Sequence, residues 1–216
     1  MRARGSGWLH LRAGEAGPIA ILVGWYFCVI GAAFVARSVR DSLFLAHLSA
    51  ARLPSMYVAT PLIVTAVGFA YARIEGKLRR DRLAIGTAVA SGAVLVLARL
   101  LLGTGDWIYY TLYVAVSVIS GLVIMQLWMA ASDRFTSRDA KRLFGLVGAG
   151  GTLADIVIGA VLALLAPHMA VEDLLYLAAG LLFTAAALAI ALGRLGGRVQ
   201  ARPRPARARG AKAEGR

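Results

Sequence analysis

One cysteine, three histidines and eleven carboxylate side chains are all that 216 residues set aside for redox, metal-binding and acid–base chemistry. With Cys28 alone, neither an intrachain disulfide nor a thiolate metal cluster can form. His10, His47 and His168 stand far apart and share no metal-ligand spacing. There is no Ser/His/Asp arrangement and no pair of carboxylates at a useful distance along the chain. An enzyme is therefore not expected, and neither is a bound metal or an organic cofactor. The alternating apolar–polar strands of a membrane barrel are missing too.

What the chain has instead is hydrocarbon. Hydrophobic residues make up 59% of it and mean hydropathy is +0.71, far above an ordinary soluble domain. Six runs approach the roughly 20 residues that a helix needs to cross a bilayer. They are residues 18–46, 54–72, 83–102, 107–131, 144–166 and 173–193. The reading is an all-α membrane protein whose six-helix transmembrane domain occupies residues 18–193. A basic lead, 1–17, precedes it, and a disordered basic tail or linker, 194–216, follows. The basic start and first apolar run mimic a signal peptide. That run is long, continues into charged helix and is followed by five more, so it is expected to stay as an uncleaved first span.

A net charge of +13 would suggest nucleic acid as partner for a soluble chain. The distribution argues otherwise. Of the 24 Lys and Arg residues, segment 1–17 holds three, 73–82 five, 133–143 four and 194–216 eight, leaving Arg37, Arg40, Arg52 and Arg99. The loops around Asp106 and around Glu172 and Asp173 carry none. This is the positive-inside pattern with both termini in the cytoplasm. Basicity sets topology here, and no nucleic-acid partner is expected. The tail is either a solvated segment or a contact for anionic lipid.

Phe34 to Leu48, FVARSVRDSLFLAHL, organises the rest. Arg37, Arg40 and Asp41 are spaced i, i+3, i+4 and project from one helical face, to which Phe44 adds the i+7 position. Charges inside a membrane helix are costly and normally face the bundle interior or a wet cavity. The alternative is a span that ends near Val35, with the charges snorkelling into outer headgroups. Ser49 to Pro54 then makes the outer turn, and Pro61 is expected to kink the second helix. Gly86, Ala88, Ala90 and Gly92 would let helix 3 approach a neighbour closely. Arg99, near its outer end, either snorkels or lines a cavity. Trp107, Tyr109, Tyr110 and Tyr113 read as an aromatic belt. In helix 5, Gly145, Gly148, Gly150 and Gly151 make a narrow face, and Asp155 is a buried carboxylate that either pairs with an arginine or sits at a packing interface. The run GLVGAGG lacks the GK[ST] ending of a phosphate loop and a preceding strand, so helix packing explains its glycines better.

Three stretches together resemble the ATP:ADP antiporter (nucleotide translocase) family, which has a major-facilitator-like fold. RSVRDSLFL is similar to the family's basic-residue–Asp pair in helix 1. Leu53, Pro54 and Tyr57 are similar to its helix 2 start, and LWMAASDRFTSRDAKRLFGLVGAGG to the end of helix 4, the following loop and the glycine-rich helix 5. The likeness covers roughly residues 30–160. Where the family carries a glutamate early in helix 4, this chain reads LYVAVSVISG. The family has about twelve spans, so the resemblance is to its amino-terminal half. It implies a fragment, or a chain that pairs with a second six-helix half or as a homodimer.

The resemblance implies an integral protein of a bacterial inner membrane that moves an anionic, nucleotide-like or phosphorylated solute by alternating access. The alternative is a non-transporting six-helix anchor or lipid-interacting module. Arginine suits phosphate because its planar fork binds at two points and stays charged. Arg40, with Arg37 beside it, is expected to contact substrate phosphates, and Asp41 to orient or partly neutralise the pair between transport events. Lys141 and Arg142, with Trp128 at the end of helix 4, are expected at the inner loop or gate. Arg99 and Asp155 are candidates for a cavity or a charge pair.

Overall fold

The computed structural model describes the backbone of residues 16–75, 80–134 and 137–199, and the side chains of 21, 23–75, 82–126 and 151–191. Six α-helices and no strand occur among the described residues: α1 Ala16–His47, α2 Leu53–Glu75, α3 Arg80–Leu101, α4 Trp107–Arg134, α5 Ser137–Leu165 and α6 Leu174–Val199. Segments Ala50–Glu75, Arg82–Leu101, Trp107–Gln126 and Val171–Ala191 are each long and apolar enough to cross a membrane. The described apolar part of α5, Gly151–Leu165, is shorter. At 32 residues, α1 is the longest helix, extending about 48 Å at 1.5 Å per residue.

Local chemistry accounts for the breaks. Ser49 is extended, and its Oγ accepts the Ala51 N–H to start a 3₁₀ turn at Ala50–Arg52. Leu53, although it precedes Pro54, is helical at φ −57°, ψ −44°. The serine, not the proline, therefore places this turn. α2 runs unbroken through Pro61. After α3, Gly103 and Gly105 take φ of +92° and +150°, a region that L side chains rarely adopt. The Thr104 N–H and hydroxyl both donate to the Leu101 carbonyl, at 3.2 and 2.8 Å, and close that helix end. α5 begins at Ser137, so Lys141 and Arg142 lie on helix and not in a loop. α6 continues past residue 193 to Val199, carrying helix into the stretch read as tail.

The helices form a bundle in which α1 packs against α6, α4 and α5, while α4 packs against α1, α2 and α3, and α3 against α6. Exchange α1 with α4, α2 with α5 and α3 with α6, and this set of neighbours maps onto itself. Residues along the α1–α4 seam run in opposite directions, since Arg40 meets Ser117 and His47 meets Tyr109. The two three-helix halves thus share one pattern of neighbouring helices, with α1 and α4 running in opposite directions. Val35, Val39, Phe44, Leu95, Leu112, Val116, Leu175 and Leu182 fill the centre. α2 and α5 each have one principal neighbour and flank the bundle.

Small residues act where helices touch. A Cβ on Gly92 would lie 2.8 Å from the Phe183 ring, and one on Gly31 3.0 Å from Ile158. Gly86 has nothing within 4 Å, and Ala90 is exposed, so half of the small-residue set in α3 faces outward. The narrow face of α5 is represented among described side chains by Gly151, whose Cβ position is 3.4 Å from Ile30; Gly145, Gly148 and Gly150 lie outside them.

Candidate functional site

The polar centre of the molecule lies on the α1–α4 seam. Arg40 is at an inward-facing position of α1, with Phe44 one turn further on and fully buried. Opposite, α4 presents Tyr109, Tyr113 and Ser117 at four-residue spacing, which stacks them along one helical face. Phe44 meets Tyr113 at 5.0 Å and Tyr110 edge-on at 5.9 Å between ring centroids. His47 stacks on Tyr109 at 4.1 Å. Trp107 is exposed, whereas Tyr109 and Tyr113 are buried. Tyr109 and Tyr113 turn inward because α1 supplies each with an aromatic partner, His47 and Phe44, and Tyr113 also with the cation of Arg40.

Arg40 has 13% of its side chain exposed. Its Nε donates to Asp41 Oδ1 at 2.8 Å, and one terminal nitrogen lies 2.8 Å from the same oxygen. The other terminal nitrogen donates to Ser117 Oγ at 2.7 Å, and that hydroxyl donates to the Tyr113 carbonyl at 2.8 Å. The guanidinium carbon sits 4.3 Å from the centroid of the Tyr113 ring, in cation–π contact. A guanidinium has five N–H groups, so this one retains donors with no protein partner among the described residues. Asp41 is 53% exposed and can be displaced from the arginine toward solvent. An ion pair this open contributes weakly.

The three charges of α1 do not act as one cluster. Arg37 turns back along its own helix and donates Nε to the Ala33 carbonyl at 3.1 Å, while Arg40 and Asp41 hold each other. Arg99 is a charge-pair residue in the last turn of α3. Its Nε and Nη2 donate to Asp173 Oδ1 at 2.8 and 2.6 Å, tying α3 to the turn that leads into α6. Arg52, in the turn between α1 and α2, donates to the Tyr110 hydroxyl. Asp155 has an oxygen, Oδ1, that is buried and has no hydrogen-bond partner. Trp128 belongs to α4 and Lys141 and Arg142 to α5, and the side chains of all three lie outside the described residues.

Further along the bundle, Gln126 donates to the Tyr71 hydroxyl, which is 3.3 Å from Thr87 Oγ1. This joins α4, α2 and α3 through buried polar groups, a common device between membrane helices. Tyr113 and Ser117 were absent from the candidates read from sequence; their four-residue spacing on an otherwise apolar helix was the available signal. The described residues hold no group of three His, Cys, Asp or Glu side chains that could bind a metal. No family model, curated protein or solved structure matches the chain.

Proposed function

We propose that this protein is a membrane transporter, or half of one, for an anionic phosphorylated solute of nucleotide-like chemistry, working by alternating access. The observation that carries this reading is Arg40: a nearly buried guanidinium within an apolar bundle, gripped by Asp41, Ser117 and Tyr113, with donors to spare. Incoming phosphate would replace Asp41 on the fork and be bound at two points. Asp41 then neutralises the cation whenever substrate is absent.

The exchange symmetry of the helix neighbours supports a major-facilitator-like half, because such halves are built from two inverted three-helix repeats. On this reading α1 and α5 cross the membrane along with the four apolar segments, and the charge distribution leaves both termini in the cytoplasm. A second six-helix half, or a second copy, would cover α2 and α5, the two helices with one principal neighbour each.

A specific observation also favours the other reading, a non-transporting six-helix module. Arg40 is already satisfied by protein on three sides, as a purely structural clamp would be. Lipid vesicles holding the purified protein and loaded with unlabelled ADP separate the two. Entry of labelled ATP or labelled phosphate, abolished by Arg40→Ala, is the expected result. Vesicles that admit neither label, made with protein that light scattering shows to be associated, contradict transport and leave the structural module.

A further inference from the structure

α1 differs from its neighbours in what it leaves uncovered. The large exposed side chains include Val58, Leu62 and Phe69 on α2, Val94, Leu97 and Leu100 on α3, and Leu153, Ile156 and Leu164 on α5. These are apolar, as suits a surface against lipid tails. On α1, Asp41 and Ser42 are exposed and Arg37 and Ser38 half-buried, with Leu45 exposed one turn beyond Asp41. Arg37 and Asp41, like Ser38 and Ser42, are four residues apart, so the four form one polar strip along the helix. The strip lies at mid-depth. Trp107–Gln126 of α4, 20 residues, is long and apolar enough to cross a membrane, and Ser117, which holds Arg40, stands near its middle. That is about 15 Å from the start of the span, halfway through a hydrocarbon core of roughly 30 Å. Charged side chains at such a depth are costly against lipid, yet Asp41 is 53% exposed.

We propose that this strip is the docking surface for a second copy of the chain, with the two α1 helices side by side about a two-fold axis. The assignment rests on the preceding reading only in that the helices cross a membrane. Of the two partners left open there it selects the second copy, and it gives that copy a seat on α1. Transport is not assumed.

The strip is complementary to itself. Both contacts of Asp41 with Arg40 use Oδ1, so Oδ2 has no partner among the described residues. Arg37 spends only its Nε, on the Ala33 carbonyl, and its terminal nitrogens have no partner among the described residues either. A two-fold interface brings residue i of one copy against j of the other and j against i. Arg37 of each copy then reaches Asp41 of the other, one turn away along the helix, and both charges are satisfied twice over. Ser38 and Ser42 have the small-xxx-small spacing that lets two membrane helices approach closely. An unrelated partner would have to supply the opposite charge at each position, whereas a second copy carries both signs at the required spacing.

The test uses the intact chain in lipid vesicles, with Cys28→Ser as the background so that added cysteines stand alone. Photobleaching of a terminal fluorophore should count two copies per particle, even at high dilution with lipid. Oxidation should link Ser42→Cys chains into covalent dimers and leave Leu97→Cys, exposed on α3, unlinked. Arg37→Asp and Asp41→Arg each give a strip of one sign, so each should lose most of the dimer. Mixing the two variants should recover it, which also shows that both are folded. Single copies at every dilution, or linking at Leu97→Cys and not at Ser42→Cys, overturn the proposal. So does a mixture that pairs no better than either variant alone. A chain that alkaline carbonate strips from the vesicles defeats the membrane reading and the interface together, whereas embedded single copies defeat the interface alone. A dimer that admits no labelled ATP sustains the interface and counts against transport.

Discussion

Helix α1 has two unlike seams. Against α4 it sets Arg40, Phe44 and His47 into a row of tyrosines, and its polar groups there find protein partners. Against α5 it sets Gly31 and Phe34 beside Gly151 and Gly159, with the backbones close and a bare carboxyl oxygen between. The first seam surrounds a charge with protein partners, and the second leaves one carboxyl oxygen of Asp155 unpartnered. Surrounded charge in lipid is compatible with permanent packing. The asymmetry is between a seam whose polar groups are partnered and one where small residues bring the helices close.

The largest effect should come from emptying the first seam. Phe44 is fully buried between two tyrosines, so Phe44→Ala is expected to cost about 3–5 kcal/mol of stability, measured by denaturant unfolding in detergent. The second seam should respond to added bulk instead. Gly31→Ala places a methyl 3.0 Å from Ile158 and is expected to cost about 1–3 kcal/mol. In an Ile158→Ala background, which lacks both the Cγ1 and the Cδ1 that the methyl meets, Gly31→Ala should cost little. The same change at Gly86, where nothing lies within 4 Å, should have the opposite sign and stabilise by roughly 0.5–1 kcal/mol. The smallest loss is expected for Ser117→Ala, which removes one hydrogen bond to Arg40 and should cost about 1 kcal/mol, since interhelical bonds in membranes are modest. If Ser117→Ala were to destabilise as much as Phe44→Ala, the ranking of packing over polar contacts in this seam would be reversed.

Much of the fold was legible because apolar run length translates directly into helix. All six helices fall where runs were read, and their ends differ by a few residues where charged stretches proved to be helical, as at Ser137–Arg142 and Arg194–Val199. The adjacency of Arg40 and Asp41 was legible for the same local reason. Partners across helices were not. Arg99 finds Asp173 at a separation of 74 residues, and Arg40 finds Ser117 at 77, distances at which no periodic pattern specifies register. The tyrosines of α4 misled because amphipathic rings suit an interface and a polar seam equally well. Arg37, expected beside Arg40 on spacing alone, turned to its own backbone, since a long side chain on a helix leans toward the preceding turn.

The central claim is that Arg40 recognises phosphate through the shape of its fork and not merely through its charge. Calorimetric titration of ATP into the folded protein in lipid nanodiscs tests this, comparing the parent with Arg40→Ala, Arg40→Lys and Arg52→Ala. Charged hydrogen bonds are each worth about 1.5–3 kcal/mol, and lysine keeps the charge while losing the two-point geometry. Arg40→Ala and Arg40→Lys should therefore weaken ATP binding by similar factors, about tenfold or more. Arg52→Ala, in the exposed turn between α1 and α2, should leave it unchanged. ATP binding by Arg40→Ala as tight as that of the parent would contradict the assignment.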